Sequence, residues 1–213
     1  MPLGTTVRRA LGRFEPVAVR TYRHAFIDLD SLAETVGSVV PGARRVLEIG
    51  CGDGAMAAAL CRALPDIELL GIDPGLPVPG RMFEGDRARA EFRTITTTHL
   101  LGDEPELFDL VVLCDVLHHV RWAERAQVLR DAAALTAPGG IVAVKEWERR
   151  GGIGTAMAYC ADRWVSGDAA VRFMSLSEID GLVEQAMPGW QRTCAARIPP
   201  RRANLLLTLR RSR

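Results

Sequence analysis

Long apolar runs, cysteine pairs and a surplus of one charge are all missing from this sequence of 213 residues. No stretch reaches the roughly 18 consecutive apolar residues of a membrane span, and residues 1–17 lack the apolar core of a secretory signal. The five cysteines include no Cys-x-x-Cys spacing, which indicates reduced thiols rather than a disulfide framework or a zinc site. These absences predict a cytoplasmic protein without a membrane partner.

Positive and negative side chains nearly balance, with 27 lysines and arginines against 26 acids. The resulting net charge of +1 gives no indication of a nucleic-acid partner. Lysine itself is almost absent, because Lys145 is the only one and every other basic residue is arginine. The hydrophobic content of 48% is ordinary for a soluble protein, and the length suits one domain with a substantial core.

Apolar segments typical of strands alternate with segments typical of helices through the middle of the chain. Continuous apolar runs such as "FDLVVLCDVL" are typical of strands that are buried on both faces of a parallel sheet. This alternation predicts a doubly wound α/β sheet. The predicted strands of this part are residues 45–50, 68–73, 92–98, 108–117 and 140–147, and the helices are 55–64 and 123–137.

The end of the chain follows a different pattern. Ser175 and Glu178 form a plausible capping box at the start of a helix over residues 178–187. Two strand-like segments, 190–198 and 204–211, are joined by a connection too short for a parallel crossover, so they are predicted to be antiparallel. The sheet is therefore expected to be mostly parallel with a C-terminal antiparallel hairpin.

The stretch "VLEIGCGDGA", residues 46–55, runs from a strand through three glycines into a helix. Such a turn brings bare backbone and a helix N-terminus close to a polar ligand group. Gly50, Gly52 and Gly54 thus predict a cofactor site. The same residues also fit the dinucleotide fingerprint G-x-G-x-x-A, with Asp73 at the expected distance, so the glycines alone leave a nicotinamide-dependent dehydrogenase open.

Four motifs in order narrow this choice: "LEIGCGDG", "LLGIDPG", "FDLVVLCDVLHHV" and "LTAPGGIVAVKEW". Together they resemble the class I S-adenosylmethionine-dependent methyltransferases over residues 40–148. The resemblance implies a Rossmann-like seven-stranded sheet, with S-adenosyl-L-methionine as cofactor and S-adenosyl-L-homocysteine as product. It also implies that Asp73 accepts hydrogen bonds from the ribose hydroxyls, a task suited to the two oxygens of a carboxylate.

The resemblance further implies a set of cofactor-binding residues at the ends of the strands. One member departs from the family pattern, because the usual acid after the third strand is missing and Thr97 and Thr98, beside His99, stand near its place. The full set is Glu48, Gly50, Cys51, Gly52, Asp53, Gly54, Asp73, Pro74, Thr97, Thr98, Cys114, Asp115 and Val116.

Three candidate catalytic residues follow the fourth and fifth strands, where the chemistry of open α/β sheets is found. His118 or His119, with His119 slightly preferred, could remove a proton from the acceptor near neutral pH. Lys145 could contact substrate or assist proton transfer, since burial can lower the pKa of a lysine. No metal site is expected, because the adjacent histidines are too cramped to chelate together and no carboxylate cluster is apparent around them.

The chain is predicted to be a single domain, residues 1–213, with four parts. Residues 1–40 form an N-terminal helical lid, 41–148 the cofactor-binding core, 149–174 a substrate-lid insertion, and 175–213 the final helix and hairpin. Long insertions usually carry function. The N-terminal part of the lid offers Tyr22, His24 and Phe26. The side chains that could contact an acidic or aromatic small molecule are Arg149, Arg150, Tyr159, Arg163 and Trp164, and ordinary packing of the aromatic ones stays open.

These features predict a methyltransferase acting on a small molecule, by O-methylation of a secondary metabolite or precursor; transfer to nitrogen or carbon stays open. A nucleic-acid (RNA) methyltransferase is the first alternative, because arginines cluster near the C-terminus. A dehydrogenase and a non-catalytic binding module are the others. Monomer and homodimer are both compatible with the sequence.

Overall fold

Seven strands form one sheet in the computed structural model, which describes residues 27–149, 171–200 and 203–212. The strand order is β3-β2-β1-β4-β5-β7-β6. Strands β1 to β5 pair in parallel, and β7 lies antiparallel between β5 and β6. The predicted mostly parallel sheet with a C-terminal hairpin is confirmed. The strands are β1 Arg45–Ile49, β2 Glu68–Ile72, β3 Ala90–Arg93, β4 Phe108–Cys114, β5 Thr136–Trp147, β6 Trp190–Arg197 and β7 Asn204–Arg211.

Helices cover both faces of this sheet and create two apolar cores. One core contains α1 and α2 against alternate residues of β1 and β4, and the other contains α3, α4 and α5 against the remaining residues. Because both faces are buried, β4 is apolar almost throughout and β1 is buried from Val46 to Ile49. The described helices are α1 Leu29–Val39, α2 Ala55–Ala63, α3 Thr97–Gly102, α4 Trp122–Leu135 and α5 Leu176–Ala186, with a 3₁₀ turn at Leu117–His119.

Two predicted strands, 92–98 and 108–117, end three or more residues earlier than the sequence pattern indicates. The segment 92–98 leaves the sheet after Arg93, because the Thr96 side chain accepts a hydrogen bond from the His99 amide and caps α3. A capping hydroxyl thus overrides the β-propensity of the threonines. Strand β4 ends at Cys114, and Asp115 adopts a left-handed conformation with φ of 57°.

The C-terminal elements agree with their predictions. The Ser175 hydroxyl accepts from the Glu178 amide, and the Glu178 carboxylate accepts from the Ser175 amide, so the capping box at the start of α5 is confirmed. Strands β6 and β7 pair antiparallel as expected.

The division into a single domain with two lids stays a prediction. Only α1 of the proposed N-terminal lid is described, and Tyr22, His24, Phe26, Arg150, Tyr159, Arg163 and Trp164 lie outside the described residues. Among the helices within 27–149 and 171–200, none is long and apolar enough to cross a bilayer.

Candidate functional site

The carboxyl ends of four parallel strands bring the candidate residues to one edge of the sheet. The glycine turn follows β1, and Asp73 follows β2. Asp115 and the histidines follow β4, beside the last residues of β5. In open α/β sheets this edge carries the ligand site, so the predicted residues are collected where a ligand would be expected.

Two of the three turn glycines make room for the protein's own atoms. A Cβ at Gly50 would stand 2.6 Å from the Val116 Cγ2 atom, and one at Gly54 would stand 3.0 Å from the Phe83 Cβ atom. Both glycines also have positive φ, 70° and 91°, which residues with a side chain rarely adopt. Gly50 and Gly54 therefore shape the turn, and their contact with a cofactor stays a prediction.

Gly52 is the position where backbone faces open space. Its φ is 55°, and nothing lies within 4 Å of where its Cβ would be. The Gly52 amide donates to Asp73 Oδ2 at 3.0 Å, while the Gly75 amide donates to Oδ1 at 2.8 Å. Because each carboxylate oxygen has two acceptor sites, Asp73 braces two loops and still has acceptor capacity for a ligand.

The loop between β2 and β3 is hydrogen-bonded to the glycine turn, a contact that the sequence did not predict. The Gly80 amide donates to the Gly52 carbonyl at 3.0 Å, and the Met82 amide donates to the Asp53 carbonyl at 2.9 Å. Phe83 packs against the turn and lies 5.3 Å, ring to ring, from Phe92. Turn residues and prolines in this loop indicated only an irregular segment; its contact with the glycines is tertiary.

The cysteines of the site are protonated thiols. Burial raises the pKa of Cys51 far above its ordinary value, and the charges of Glu48 and Asp73 add to the effect. Burial likewise raises the pKa of Cys114, with Asp115 contributing. Only the thiolate is a nucleophile, so these side chains line the site without reacting. Glu48 is buried within β1, between Gly71 and Val112 of the neighbouring strands.

Three further predicted cofactor residues occupy different settings. Pro74 is exposed beside Asp73. The hydroxyls of Thr97 and Thr98 both donate to Asp131 of α4, at 2.6 and 2.9 Å. These two hydroxyls tie α3 to α4 as donors and keep their lone pairs as acceptors, and their contact with adenine stays a prediction.

Lys145 is buried and ion-paired with Asp115. Its side chain is 2% exposed, and Nζ lies 2.5 Å from Asp115 Oδ2. Burial by itself lowers the pKa of Lys145, but the charge and hydrogen bond of Asp115 outweigh it and raise that pKa above 10.5. Only the neutral amine could accept a proton, and the raised pKa keeps Lys145 in its charged form. This argues against a proton-acceptor role.

The ion pair gives a pH prediction with a defined sign. Burial raises the pKa of Asp115, yet Lys145 and the histidines lower it overall. Stabilisation by the pair should therefore be complete between about pH 4 and pH 10, the unfolded values of Asp and Lys. It should be lost in acid as pH falls through the lowered Asp115 pKa, and in alkali as pH rises through the raised Lys145 pKa.

Urea unfolding of the wild type and of a Lys145→Met/Asp115→Asn double variant measures this dependence. The difference in unfolding free energy between them should stay constant across roughly pH 5–9. A difference that already declines between pH 7 and 9 would contradict the raised lysine pKa.

Glu146, which no sequence argument singled out, organises the turn after β4. Its Oε2 lies 2.6 Å from His118 Nδ1, and its Oε1 accepts from the amides of Val116 and Leu117 at 3.1 and 2.7 Å. His118 is itself buried, and its ring centre lies 4.2 Å from that of the half-buried His119, with the two rings tilted by 43°. The adjacency of β4 and β5 was the signal that could have revealed this contact.

The expectation that no carboxylates surround the histidines is wrong. Asp115, His118 and Glu146 offer ligand atoms that all lie within 4.8 Å of one another. Such a mixed set has the chemistry of a cation site. However, Lys145 already donates to Asp115, and two backbone amides already donate to Glu146, so these carboxylates are satisfied by protein donors.

Comparison with known proteins gives matches to methyltransferases. A family model described as "Methyltransferase domain" matches residues 47–142. The chain is 30% identical over 115 residues to a ubiquinone biosynthesis O-methyltransferase of Xanthomonas campestris, covering 54% of this chain and 46% of that protein. The chain thus spans about half the length of this curated relative.

Solved structures share the fold at low sequence identity. An O-methyltransferase family protein from Burkholderia thailandensis superposes with a TM-score of 0.69 at 22% identity, over 86% of this chain and 55% of that one. The 1,6-didemethyltoxoflavin-N1-methyltransferase of the same organism, solved with its substrate and S-adenosylhomocysteine, gives 0.67 at 17% identity, over 98% and 88%.

Proposed function

We propose that this chain, which belongs to the class I S-adenosylmethionine-dependent methyltransferases, methylates a small molecule. One observation carries the proposal: the backbone at Gly52 faces open space, and the Asp73 carboxylate beside it accepts a hydrogen bond from the Gly52 amide. When bound, S-adenosylmethionine supplies a methyl group activated by its sulfonium. The chain's own residues then have to bind the nucleoside, align the acceptor and take the proton that the acceptor loses.

The cofactor-binding role falls mainly on the first two loops. Asp73 would accept hydrogen bonds from the ribose hydroxyls with the lone pairs left after bonding Gly52 and Gly75. Gly52 would let the amino-acid end lie against main chain, near the charge of Asp53. Cys51, Cys114, Asp115 and Val116 would line the rest of the site. Thr97 and Thr98 donate to Asp131 and would accept from the adenine amino group with their remaining lone pairs.

The acceptor is proposed to be a small molecule with a hydroxyl group, methylated on oxygen. Support comes from the O-methyltransferases among the similar proteins and from histidines beside the site, since a hydroxyl must lose its proton. His118 takes precedence over His119 as the acceptor of that proton, because a carboxylate fixes its ring. A nitrogen acceptor is the second candidate, since the toxoflavin-pathway neighbour is an N-methyltransferase.

Calorimetry with S-adenosylhomocysteine is the first experiment, with NADH as the competing ligand. Binding of the former and not the latter supports the assignment, and the reverse result would contradict it. Transfer of labelled methyl groups is then measured on phenols, aliphatic alcohols and nitrogen heterocycles, against transfer RNA as the macromolecular alternative. Labelling of RNA alone would overturn the small-molecule proposal.

The different surroundings of two glycines give a paired prediction. Gly52→Ala should weaken S-adenosylhomocysteine binding by about 10-fold, because a methyl group at φ 55° adds strain of about 1–2 kcal/mol and enters the open space. Gly50→Ala should instead destabilise the fold, since its Cβ would clash with Val116. Calorimetry and thermal unfolding on both variants measure this. If Gly52→Ala binds as the wild type does, the ligand does not approach this residue.

A further inference from the structure

We infer that an arginine cluster at the start of α4 binds an anionic group, a carboxylate or a phosphate, carried by the methyl acceptor. The arginine cluster consists of Arg125, Arg149 and Arg172, together with the indole of Trp122. That the anion belongs to the acceptor rests on the proposed function, whereas binding of an anion by the cluster does not.

The arginine cluster is attached to the edge of the sheet where the acceptor is expected. The His118 carbonyl accepts from the Arg172 amide at 3.0 Å and from Nη2 of Arg125 at 3.4 Å. His118 follows β4, at the carboxyl ends of the strands, where open α/β sheets bind their ligands. A group held by these side chains would therefore lie beside the candidate site.

Arg125 is a buried cation that lacks a paired anion. It is 1% exposed, and its Nε donates to the Val120 carbonyl at 2.9 Å. Its Nη1 is buried and has no hydrogen-bond partner among the residues that the structure describes. Because arginine stays protonated in proteins, a buried guanidinium without a counter-charge is costly. An anion from outside the chain would supply the missing acceptor and the missing charge.

Positive charge is in excess around Arg125. Arg149 Nη2 donates to Glu178 Oε2 at 2.9 Å, and Arg172 Nη2 lies 3.5 Å from the other oxygen of that carboxylate. Burial lowers the pKa of Arg125, and Glu146 and Glu178 act in the opposite direction. Three guanidiniums thus face two carboxylates in the described part of the chain, and Glu178 leaves most donors of the half-exposed Arg149 and Arg172 available.

Trp122 and the start of α4 prepare the cluster for an anion. The Cζ atom of Arg172 lies 4.2 Å from the centre of the Trp122 ring, and that of Arg125 lies 5.1 Å from it. This stacking restrains an otherwise mobile arginine side chain. The N-cap residue Arg121 makes no side-chain hydrogen bond to the helix, so the first amides of α4 add their positive potential.

Titration with inorganic phosphate at low ionic strength tests the anion site. Trp122 is 45% exposed, so its fluorescence should change on binding, and loss of the change in Trp122→Phe assigns the signal. We expect Arg172→Gln to raise the dissociation constant of phosphate by about 10-fold or more, since it removes charge-assisted hydrogen bonds. Arg130→Gln is the matched control, because this exposed arginine of α4 bonds to Gln127 instead, and it should bind phosphate as the wild type does.

Comparison of hydroxy acids with their own amides tests whether the acceptor carries the anion. Ligand-observed NMR measures binding of hydroxybenzoate, hydroxycinnamate and hydroxybutyrate, each against its neutral amide, to the protein saturated with S-adenosylhomocysteine. Preference for at least one acid over its amide, lost in Arg172→Gln and kept in Arg130→Gln, supports the inference.

The other outcomes are distinct. Phosphate binding without preference for any acid overturns the acceptor assignment and indicates a separate anion. Absence of phosphate binding, or equal phosphate affinity in Arg172→Gln and the wild type, overturns the anion site itself. Failure to bind S-adenosylhomocysteine while phosphate still binds overturns the proposed function and leaves the anion site standing.

Discussion

Lys145→Met is expected to lower the free energy of unfolding by about 2–4 kcal/mol, which is a large share of the stability of an ordinary domain. The ammonium is buried against Asp115, and its removal leaves that carboxylate without its cation. Loss of one partner of a buried pair costs roughly 3–5 kcal/mol, and the lower estimate applies because Asp115 is 34% exposed and water can solvate it. Urea unfolding at pH 7 measures the loss.

A second substitution separates the ion pair from simple packing. Asparagine tolerates the left-handed conformation that Asp115 adopts, so Asp115→Asn removes the charge with little backbone strain. In the Lys145→Met/Asp115→Asn double variant, most of the lost stability should return, because no uncompensated charge remains. A double variant as unstable as Lys145→Met alone would show that the lysine acts through its packing and not through Asp115.

Asp73→Ala is expected to weaken the binding of S-adenosylhomocysteine by about 1–3 kcal/mol, or roughly 5- to 150-fold. The substitution removes the acceptors for the ribose hydroxyls and also the brace between the Gly52 and Gly75 amides. Both effects act on the same loop, so the substitution should raise the dissociation constant of S-adenosylhomocysteine. Calorimetry on the wild type and the variant provides the measurement.

Asparagine at position 73 is the matched control for this prediction. It keeps one carbonyl oxygen for a loop amide but presents an NH₂ where the second acceptor stood. We expect Asp73→Asn to bind more weakly than the wild type and more tightly than Asp73→Ala. Wild-type affinity in Asp73→Ala would mean that the carboxylate serves only as a turn brace.

The sheet and its final hairpin could be predicted because the signals are local. Apolar runs, the Ser175–Glu178 capping box and the short connection before β7 each depend on neighbouring residues. The segment 92–98 shows the limit of that approach. Its threonines favour a strand by propensity, yet one hydroxyl at Thr96 starts a helix instead.

The partners within the site could not be predicted in the same way. Lys145 and Asp115 are 30 positions apart in the sequence, and whether a lysine pKa falls or rises depends on which charge reaches it in the folded state. Likewise the sequence places Glu146 beside Lys145 but gives no sign that it turns toward His118. Only the pairing of β4 with β5, with Cys114 opposite Lys145, brings these groups together.

The position of Lys145 and Glu146 as consecutive residues of β5 has a consequence for how the site can evolve. Successive side chains of a strand point to opposite faces, so a slip of β5 by one residue would place Glu146 or Val144 opposite Asp115 and would place Trp147 or Lys145 beside His118. The ion pair with Asp115 and the contact with His118 would both be lost. Hydrogen bonding of β5 to β4 on one side and to β7 on the other prevents such a slip, and insertions or deletions within this strand should therefore abolish the site even where the sheet survives.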